Sequence, residues 1–257
     1  MMANFIKIQE KFMLTDNLTA IFDELREEYG MDALSKVESM LVSPNNHRKL
    51  TQAKAKYVLP GISSEPWRNI EDYPEIENAA QKLEALYPVI RKEIDKLKPN
   101  IDLLTSYDHY QVTMNDWKAI YLYKDEKPHT ESFNLVPITA KFMQEDLKNL
   151  LCPFGEMHYS ILKPGVHVPP HCDLWNFTLN LHFAIDIPEN CLIRVVNETR
   201  EWENGKCLLF DYSHEHEAWN NSKKTRICLL MDVWNPEITL PERKAITALI
   251  SEIRSFL

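Results

Sequence analysis

The pattern of apolar and polar residues divides the chain into a helical part and a part built from strands. In the first hundred residues, apolar side chains recur every three or four positions, which is the spacing of one helix face. This spacing predicts helices over residues 15–30, 32–41 and 74–98. Thr15 or Asp16 suits the start of the first helix and Gly30 its end. Pro88 is expected to kink or divide the third helix.

From about residue 115 the spacing changes to alternation, which is typical of strands. Residues 117–123 show this alternation first. Beyond them, short apolar runs bounded by turn residues predict strands at 158–163, 177–187, 191–196, 207–211 and 226–233. A short helix is predicted near residues 141–151, and a last helix follows Thr239, whose spacing to Glu242 fits a capping box.

Short strands at this spacing favour a β-sandwich or barrel, and the flanking helices make the predicted fold class α+β. We expect two parts along the chain. Residues 1–110 form a helical N-terminal region packed on the core, and residues 111–257 form the strand-rich domain with its C-terminal helix.

Composition and charge remove several classes of protein. Of the 257 residues, 44% are apolar and 26% charged, which is typical of a globular protein with a sizeable core. The net charge of −9 repels phosphate backbones and anionic lipids, so neither a nucleic acid nor a membrane is expected as a partner. The five glycines are all at least ten positions apart, which excludes both a dinucleotide-binding glycine motif and a P-loop.

The lack of a recognisable secretory signal and the use of cysteine predict a cytoplasmic protein. The opening residues lack the apolar run of a secretory signal, and no segment of the sequence approaches the ~18 apolar residues of a membrane span. The five cysteines form no C-x-x-C pair. We therefore expect mostly reduced, buried thiols and a cytoplasmic protein.

Histidines crowd the strand-rich part, where six of nine lie between residues 158 and 216. His171 and Asp173 are two positions apart, so on an extended backbone their side chains leave the same face and can share one ion. His216 is a candidate third ligand, with His214 as its rival on the same face. Two imidazoles and one carboxylate form the facial triad of non-haem Fe(II) oxygenases.

Arg226 stands ten residues after His216, at the head of an apolar strand. A buried arginine without an anionic partner is costly, so a ligand carboxylate would be a suitable partner here. The alternative is an exposed arginine at a strand end.

The run of about eighty residues from Tyr159 to Ile238 contains the motifs PG-x-H-x-x-PH, FD-x-S-x-x-HE-x-W and D-x-W-x-PE in this order. In this it resembles the aspartyl/asparaginyl β-hydroxylase family of Fe(II)/2-oxoglutarate oxygenases. The resemblance implies a double-stranded β-helix, or jelly roll, and the family's H-E-x-W motif aligns with His216 rather than His214. His171 would be the other histidine ligand of the iron.

The same resemblance implies how a cosubstrate binds. Ser160 and Arg226 would hold the distal carboxylate of 2-oxoglutarate, and His182 would approach the carboxylate beside its keto group. The implied activity is that of a dioxygenase that uses Fe(II), 2-oxoglutarate and O2 to hydroxylate an unactivated C–H bond of an amino-acid-like small molecule or a peptide side chain. The alternative is a cupin-like protein that binds a metal or ligand without oxidation. The oligomeric state and other oxidative outcomes, desaturation or epimerisation, stay open.

The chain departs from the animal-type pattern at two places. Asp173 stands where those members commonly have glycine, which would complete the triad. Thr178 and Asn180 stand where arginines grip the substrate carboxylates. Aspartyl peptides are therefore expected to be poor substrates, unless Arg68 or Arg91 of the helical region reaches the site.

Overall fold

Two antiparallel sheets form the centre of the computed structural model, which describes residues 15–43, 45–108 and 113–255. The strands are β1 (Trp67–Arg68), β2 (Thr105–Asp108), β3 (Thr113–Lys124), β4 (Lys127–Pro128), β5 (Met157–Leu162), β6 (His167–His171), β7 (Thr178–Asp186), β8 (Cys191–Val195), β9 (Glu198–Glu201), β10 (Cys207–Phe210), β11 (His216–Asn220) and β12 (Arg226–Trp234).

The chain passes repeatedly from one sheet to the other. The larger sheet has the order β1-β10-β7-β12-β5-β3-β2, with β4 paired to β3, and the smaller sheet has the order β6-β11-β8-β9. Strands β5, β7, β10 and β12 face β6, β8, β9 and β11 as the two halves of a double-stranded β-helix. The predicted α+β jelly roll is confirmed, and five of the predicted strands appear within two residues of their expected ends.

Helices flank the sheets. They are α1 (Asp16–Tyr29), α2 (Ser35–Val42), α3 (Pro74–Leu97), α4 (Thr130–Phe133), α5 (Pro137–Glu145) and α6 (Leu240–Ser255). The side chain of Thr15 accepts a hydrogen bond from the Leu18 amide at 3.2 Å and so caps α1. Glu242 accepts from both the backbone and the hydroxyl of Thr239, half of the predicted capping box of α6.

Two predicted helices differ from those observed. Helix α3 is not divided at Pro88, because buried apolar residues on both sides, Leu83 and Ile90, hold its two halves against the larger sheet. The short helix predicted near 141–151 is α5, which begins earlier, at Pro137, where a proline suits the first helical turn.

The apolar core has two main parts. One lies between the larger sheet and helices α3 and α5. In the other, Phe22 of α1 and Val37 of α2 pack with Ile246 and Leu249 of α6. The segment before residue 111 also supplies β1 and β2 to the larger sheet. None of the helices in the described ranges is both long enough and apolar enough to cross a bilayer.

Alternation along the central strands creates a polar interior. On β7, Leu179 and Leu181 belong to the core beneath the helices, whereas Asn180 and His182 line the space between the sheets. Successive side chains of a strand point to opposite faces, so one buried strand serves both surfaces. The polar side chains of the larger sheet are thereby gathered in one interior space.

The packing of α1 on the core can be tested at Phe22, which is fully buried. Phe22→Ala should lower the free energy of unfolding by about 3–5 kcal/mol, because it removes apolar contacts and leaves a cavity. Leu50→Ala is the matched control, since Leu50 is 97% exposed and should change stability by less than about 0.5 kcal/mol. Urea denaturation measures both variants; equal effects would contradict the packing described here.

Candidate metal centre

A cavity of about 310 Å3 lies between the two sheets. Its lining includes all six side chains that the sequence predicts for the site: Ser160, His171, Asp173, His182, His216 and Arg226. These residues come from β5, β6, β7, β11 and β12 and from the segment that follows β6. The fold therefore brings together positions up to 66 residues apart in the chain.

His171, Asp173 and His216 converge at one point of this cavity. One ligand atom from each lies within 4.8 Å of the others. His171 and His216 are direct neighbours across the β6–β11 pair, and His216 Nε2 lies 3.6 Å from Asp173 Oδ2. The Asp173 amide donates to the Tyr212 carbonyl at 2.9 Å, which holds the aspartate beside the two imidazoles.

Backbone carbonyls fix which nitrogen of each imidazole can bind a metal. His171 Nδ1 lies 2.7 Å from the Pro169 carbonyl oxygen, and His216 Nδ1 lies 2.9 Å from that of His214. A carbonyl only accepts, so each Nδ1 carries the proton and each Nε2 keeps its lone pair. This is the orientation that metal-binding histidines have in proteins. The donor set therefore fits a divalent transition metal.

His214 does not join this group. Its Nδ1 lies 2.8 Å from the Thr51 hydroxyl, and its Nε2 lies 3.8 Å from Asp211 Oδ2. The period-two argument that put His214 on the same face as His216 fails, because β11 begins only at His216 and His214 lies in the preceding turn.

Arg226 forms one end of the cavity. It is 2% exposed, so the alternative of an exposed strand-end arginine is wrong. Its guanidinium stacks over the Trp202 ring at 4.1 Å, and its Nη1 donates to Ser160 Oγ at 3.1 Å. No described carboxylate pairs with it, and its Nε has no hydrogen-bond partner among the described residues. The cationic group is thus buried with donor capacity to spare.

Ser160 is prepared to donate a hydrogen bond. Its Oγ accepts from Arg226 and also from the Trp117 indole Nε1 at 2.9 Å. A hydroxyl has two acceptor lone pairs and one proton, so both lone pairs are used and the proton is left to donate. Together Ser160 and Arg226 form a site with donors for an anion.

His182 is a neutral donor next to this site. The Trp202 indole donates to His182 Nδ1 at 3.2 Å, so the proton of the neutral ring resides on Nε2. Burial, followed by the neighbouring Arg226 charge, holds the pKa of His182 well below its ordinary value. The ring is therefore uncharged at neutral pH.

The other residues considered in the sequence take different places. His158 lines the cavity and stacks on Tyr107, with ring centroids 4.7 Å apart. His167 lies against Trp219 and Glu217 outside the cavity. Arg68 and Arg91 pair with Glu237 and Asp186, respectively, and do not line the cavity. Among the described residues, the arginine that does reach it, besides Arg226, is Arg254 of α6.

Trp117, Trp202 and Asp232 are lining or supporting residues that the sequence did not assign. Tryptophans in a β-rich chain are more often packing residues. Asp232 is the first residue of the D-x-W-x-PE motif, which supports the family resemblance but gives the aspartate no role. Only the fold shows that Trp202 supports both Arg226 and His182.

The fold and this site define a jelly-roll protein with a candidate metal centre and a neighbouring candidate anion site. The family model described as Aspartyl/Asparaginyl beta-hydroxylase matches residues 84–236. The chain belongs to this family.

Individual relatives agree with that assignment. The Aspartyl/asparaginyl beta-hydroxylase of Mus musculus is 32% identical over 203 residues, which cover 76% of this chain and 27% of the mouse protein. The Ornithine lipid ester-linked acyl 2-hydroxylase of Rhizobium tropici is 31% identical, over 61% of this chain and 57% of that protein. The chain thus spans about a quarter of the length of the mouse relative.

Among solved structures, the similarity is distant. A Pseudomonas putida prolyl-4-hydroxylase is 10% identical with a TM-score of 0.38, over 58% of this chain and 87% of that one.

The buried Asp211 beside His214 predicts how stability depends on pH. Burial raises its pKa from 3.8 to about 7. Between these values the unfolded chain loses the proton while the folded chain keeps it, so the contribution of Asp211 to stability falls as pH rises from about 4 to 7 and stays lower above. Asp211→Asn should remove this loss.

The variant should therefore gain stability relative to the natural chain at pH 8 by up to about 4 kcal/mol, with little gain near pH 4. Urea denaturation at both pH values measures the difference. Parallel pH profiles of the two proteins would contradict the raised pKa of Asp211.

Proposed function

We propose that this chain is an Fe(II)/2-oxoglutarate-dependent dioxygenase that hydroxylates an unactivated C–H bond of an amino-acid-like small molecule or a peptide side chain. The observation that carries the proposal is the convergence of His171, Asp173 and His216 in the same cavity as the buried Arg226, which has no described carboxylate partner. Membership of the β-hydroxylase family supports the same reaction class.

His171, Asp173 and His216 would hold the iron. Their two imidazoles and one carboxylate match the facial triad of non-haem Fe(II) oxygenases, which leaves positions open for other ligands. When bound, iron with 2-oxoglutarate and O2 supplies the oxidation of the C–H bond. The contribution of the chain is to present two Nε2 lone pairs and one carboxylate, fixed by backbone hydrogen bonds.

Arg226 and Ser160 would hold the distal carboxylate of 2-oxoglutarate. The planar guanidinium suits a carboxylate, and Ser160 has a proton left to donate. Trp202 covers the guanidinium and keeps water from it, which strengthens its attraction for an anion. His182, neutral and donating through Nε2, would bind the carboxylate beside the keto group without adding a second positive charge.

The ligand assignment is tested by His171→Ala and His216→Ala. Each removes a donor atom from the group, so we expect loss of Fe(II) binding and of 2-oxoglutarate-dependent succinate release, with the fold retained. His167→Ala is the matched control, because this histidine lies outside the cavity. Succinate release and Fe(II) binding are measured, with circular dichroism as the check on folding.

Two results would contradict this assignment. An active His216→Ala with an inactive His214→Ala would show that the wrong histidine was chosen. Tight zinc binding by the natural chain, without succinate release that requires Fe(II) and 2-oxoglutarate, would instead support the cupin-like alternative.

The cosubstrate assignment is tested by Arg226→Ala. A charged hydrogen bond contributes about 1.5–3 kcal/mol, so the variant should bind 2-oxoglutarate about 10- to 150-fold more weakly while iron binding stays largely unchanged. The affinity of Arg226→Lys for 2-oxoglutarate should lie between those of the natural chain and Arg226→Ala, since lysine keeps the charge but lacks the planar guanidinium group. Anaerobic calorimetry of the metal-loaded protein measures the affinity; an unchanged value for Arg226→Ala would overturn the assignment.

A further inference from the structure

The cavity has a basic side chain at one end and an acidic side chain at the other. Arg226 and Asp232 both lie on β12 and both line the cavity. They are six residues apart, which is an even number, so their side chains leave the same face of the strand, about 20 Å apart along it. Arg226 belongs to the end assigned above to the cosubstrate. Asp232 therefore marks the opposite end, which is left for the substrate.

Asp232 is a buried and oriented carboxyl group. It is 9% exposed. One oxygen accepts from Asn180 Nδ2 at 2.7 Å, and the other accepts from the Glu156 amide at 2.9 Å. No cationic side chain in the described part of the chain pairs with it. Burial raises its pKa to about 8, so near neutral pH a cation that binds here displaces a proton and leaves the carboxylate ionised. Each carboxylate oxygen can accept a further hydrogen bond, so the group can still bind a donor.

The backbone beside Asp232 leaves the carboxyl group little room to move. A Cβ atom added at Gly155 would lie 2.5 Å from Asp232 Cβ. This spacing is too short for any side chain, so the glycine permits the close approach of the 155–156 backbone that also donates to Asp232. The acid is therefore held in a fixed position at the cavity wall.

The other charged groups at this end leave Asp232 uncompensated. Glu156 also lines the cavity, and its carboxylate lies 3.1 Å from Lys124 Nζ. Arg254 donates to the Phe154 carbonyl at 2.9 Å and lies 3.6 Å from Glu126, so its guanidinium already has partners. Lys124 compensates Glu156, and nothing in the described chain compensates Asp232.

We propose that this end of the cavity binds a primary ammonium group of the substrate, with Asp232 as its anionic partner and Asn180 as the residue that keeps Asp232 available. The inference rests on the proposed function, in that the cavity is taken to hold a substrate beside the metal centre. The substrate class is thus a primary amine, such as a basic amino acid or a lysine-like side chain. An acidic group placed here would meet a like charge without a cationic partner.

Asn180 decides the charge at this end because of its place in the sheet. It lies opposite Asp232 across the β7–β12 pair and donates to it. An arginine at this position would bring a positive charge against Asp232 and cancel it. A neutral amide instead orients the carboxyl group and leaves it able to pair with a cationic ligand.

The test uses three probes of equal length: n-pentylammonium, 1-pentanol and pentanoate. Binding to the natural chain is measured by calorimetry at one pH unit above the pKa of Asp232, where its carboxylate is ionised. It is measured with and without 2-oxoglutarate, so that pentanoate bound near Arg226 is recognised by its competition with the cosubstrate. We expect n-pentylammonium to bind more tightly than 1-pentanol, and equally with or without 2-oxoglutarate. Equal affinities for n-pentylammonium and 1-pentanol, or no binding of n-pentylammonium, would overturn the proposal.

Variants locate the binding site. Asp232→Asn keeps the shape of the side chain. It should weaken the binding of n-pentylammonium about 10- to 150-fold, which is the effect expected from losing one charged hydrogen bond. Asp211→Asn is the matched control, since Asp211 is also buried with a raised pKa but does not line the cavity. Unchanged affinity in Asp232→Asn would overturn the proposal.

A second variant covers the case in which Asp232→Asn does not fold. Asn180→Arg leaves Asp232 in place and should abolish the preference for n-pentylammonium over 1-pentanol; a retained preference would overturn the proposal. Because binding of the probes requires no turnover, its outcome is separate from succinate release. Ammonium binding without any 2-oxoglutarate turnover would reject the proposed function and leave the amine site standing.

Discussion

The site depends on the alternation of side chains along strands that are buried on both faces. In β7 and β12, one set of side chains packs beneath the helices and the other set lines the cavity. Only polar groups that find partners can occupy the second set at acceptable cost, because these side chains are buried. The hydrogen-bond partners lie on neighbouring strands: Asn180 donates to Asp232, and Arg226 donates to Ser160. Strand register thus decides the chemistry of the cavity.

The same register assembles the candidate metal centre in the smaller sheet. Pairing of β6 with β11 sets His171 opposite His216, and the chain leaving β6 returns Asp173 to the same point. Each imidazole is then turned by a carbonyl only two residues before it in the sequence. Long-range pairing therefore supplies proximity, and local backbone geometry supplies orientation. Both are needed, because an imidazole that is close but wrongly protonated offers no lone pair to a metal.

Much of the fold could be predicted from sequence, but the strands that carry the ligands could not. The predicted β5, β7 and β12 are apolar runs bounded by turn residues. In contrast, β6 and β11 are five residues each, and β6 contains two prolines. Periodicity also left His214 and His216 equal, since it does not show where a strand begins. Arg68 and Arg91 were proposed by location alone; each has a carboxylate partner elsewhere, and Arg254, from the far end of the chain, reaches the cavity instead.

Arg226 and Asp232 show why the interior is built for ligands rather than for stability. Burying an unpaired charged group costs several kcal/mol, so neither residue is an economical way to stabilise the sheet. Each has hydrogen bonds to orient it but no oppositely charged partner in the described chain. Two destabilising buried groups at opposite ends of one cavity are consistent with a fold that gives up some stability in order to bind ligands. Under the functions proposed above, their charged partners are ligands, an anion at the Arg226 end and a cation at the Asp232 end.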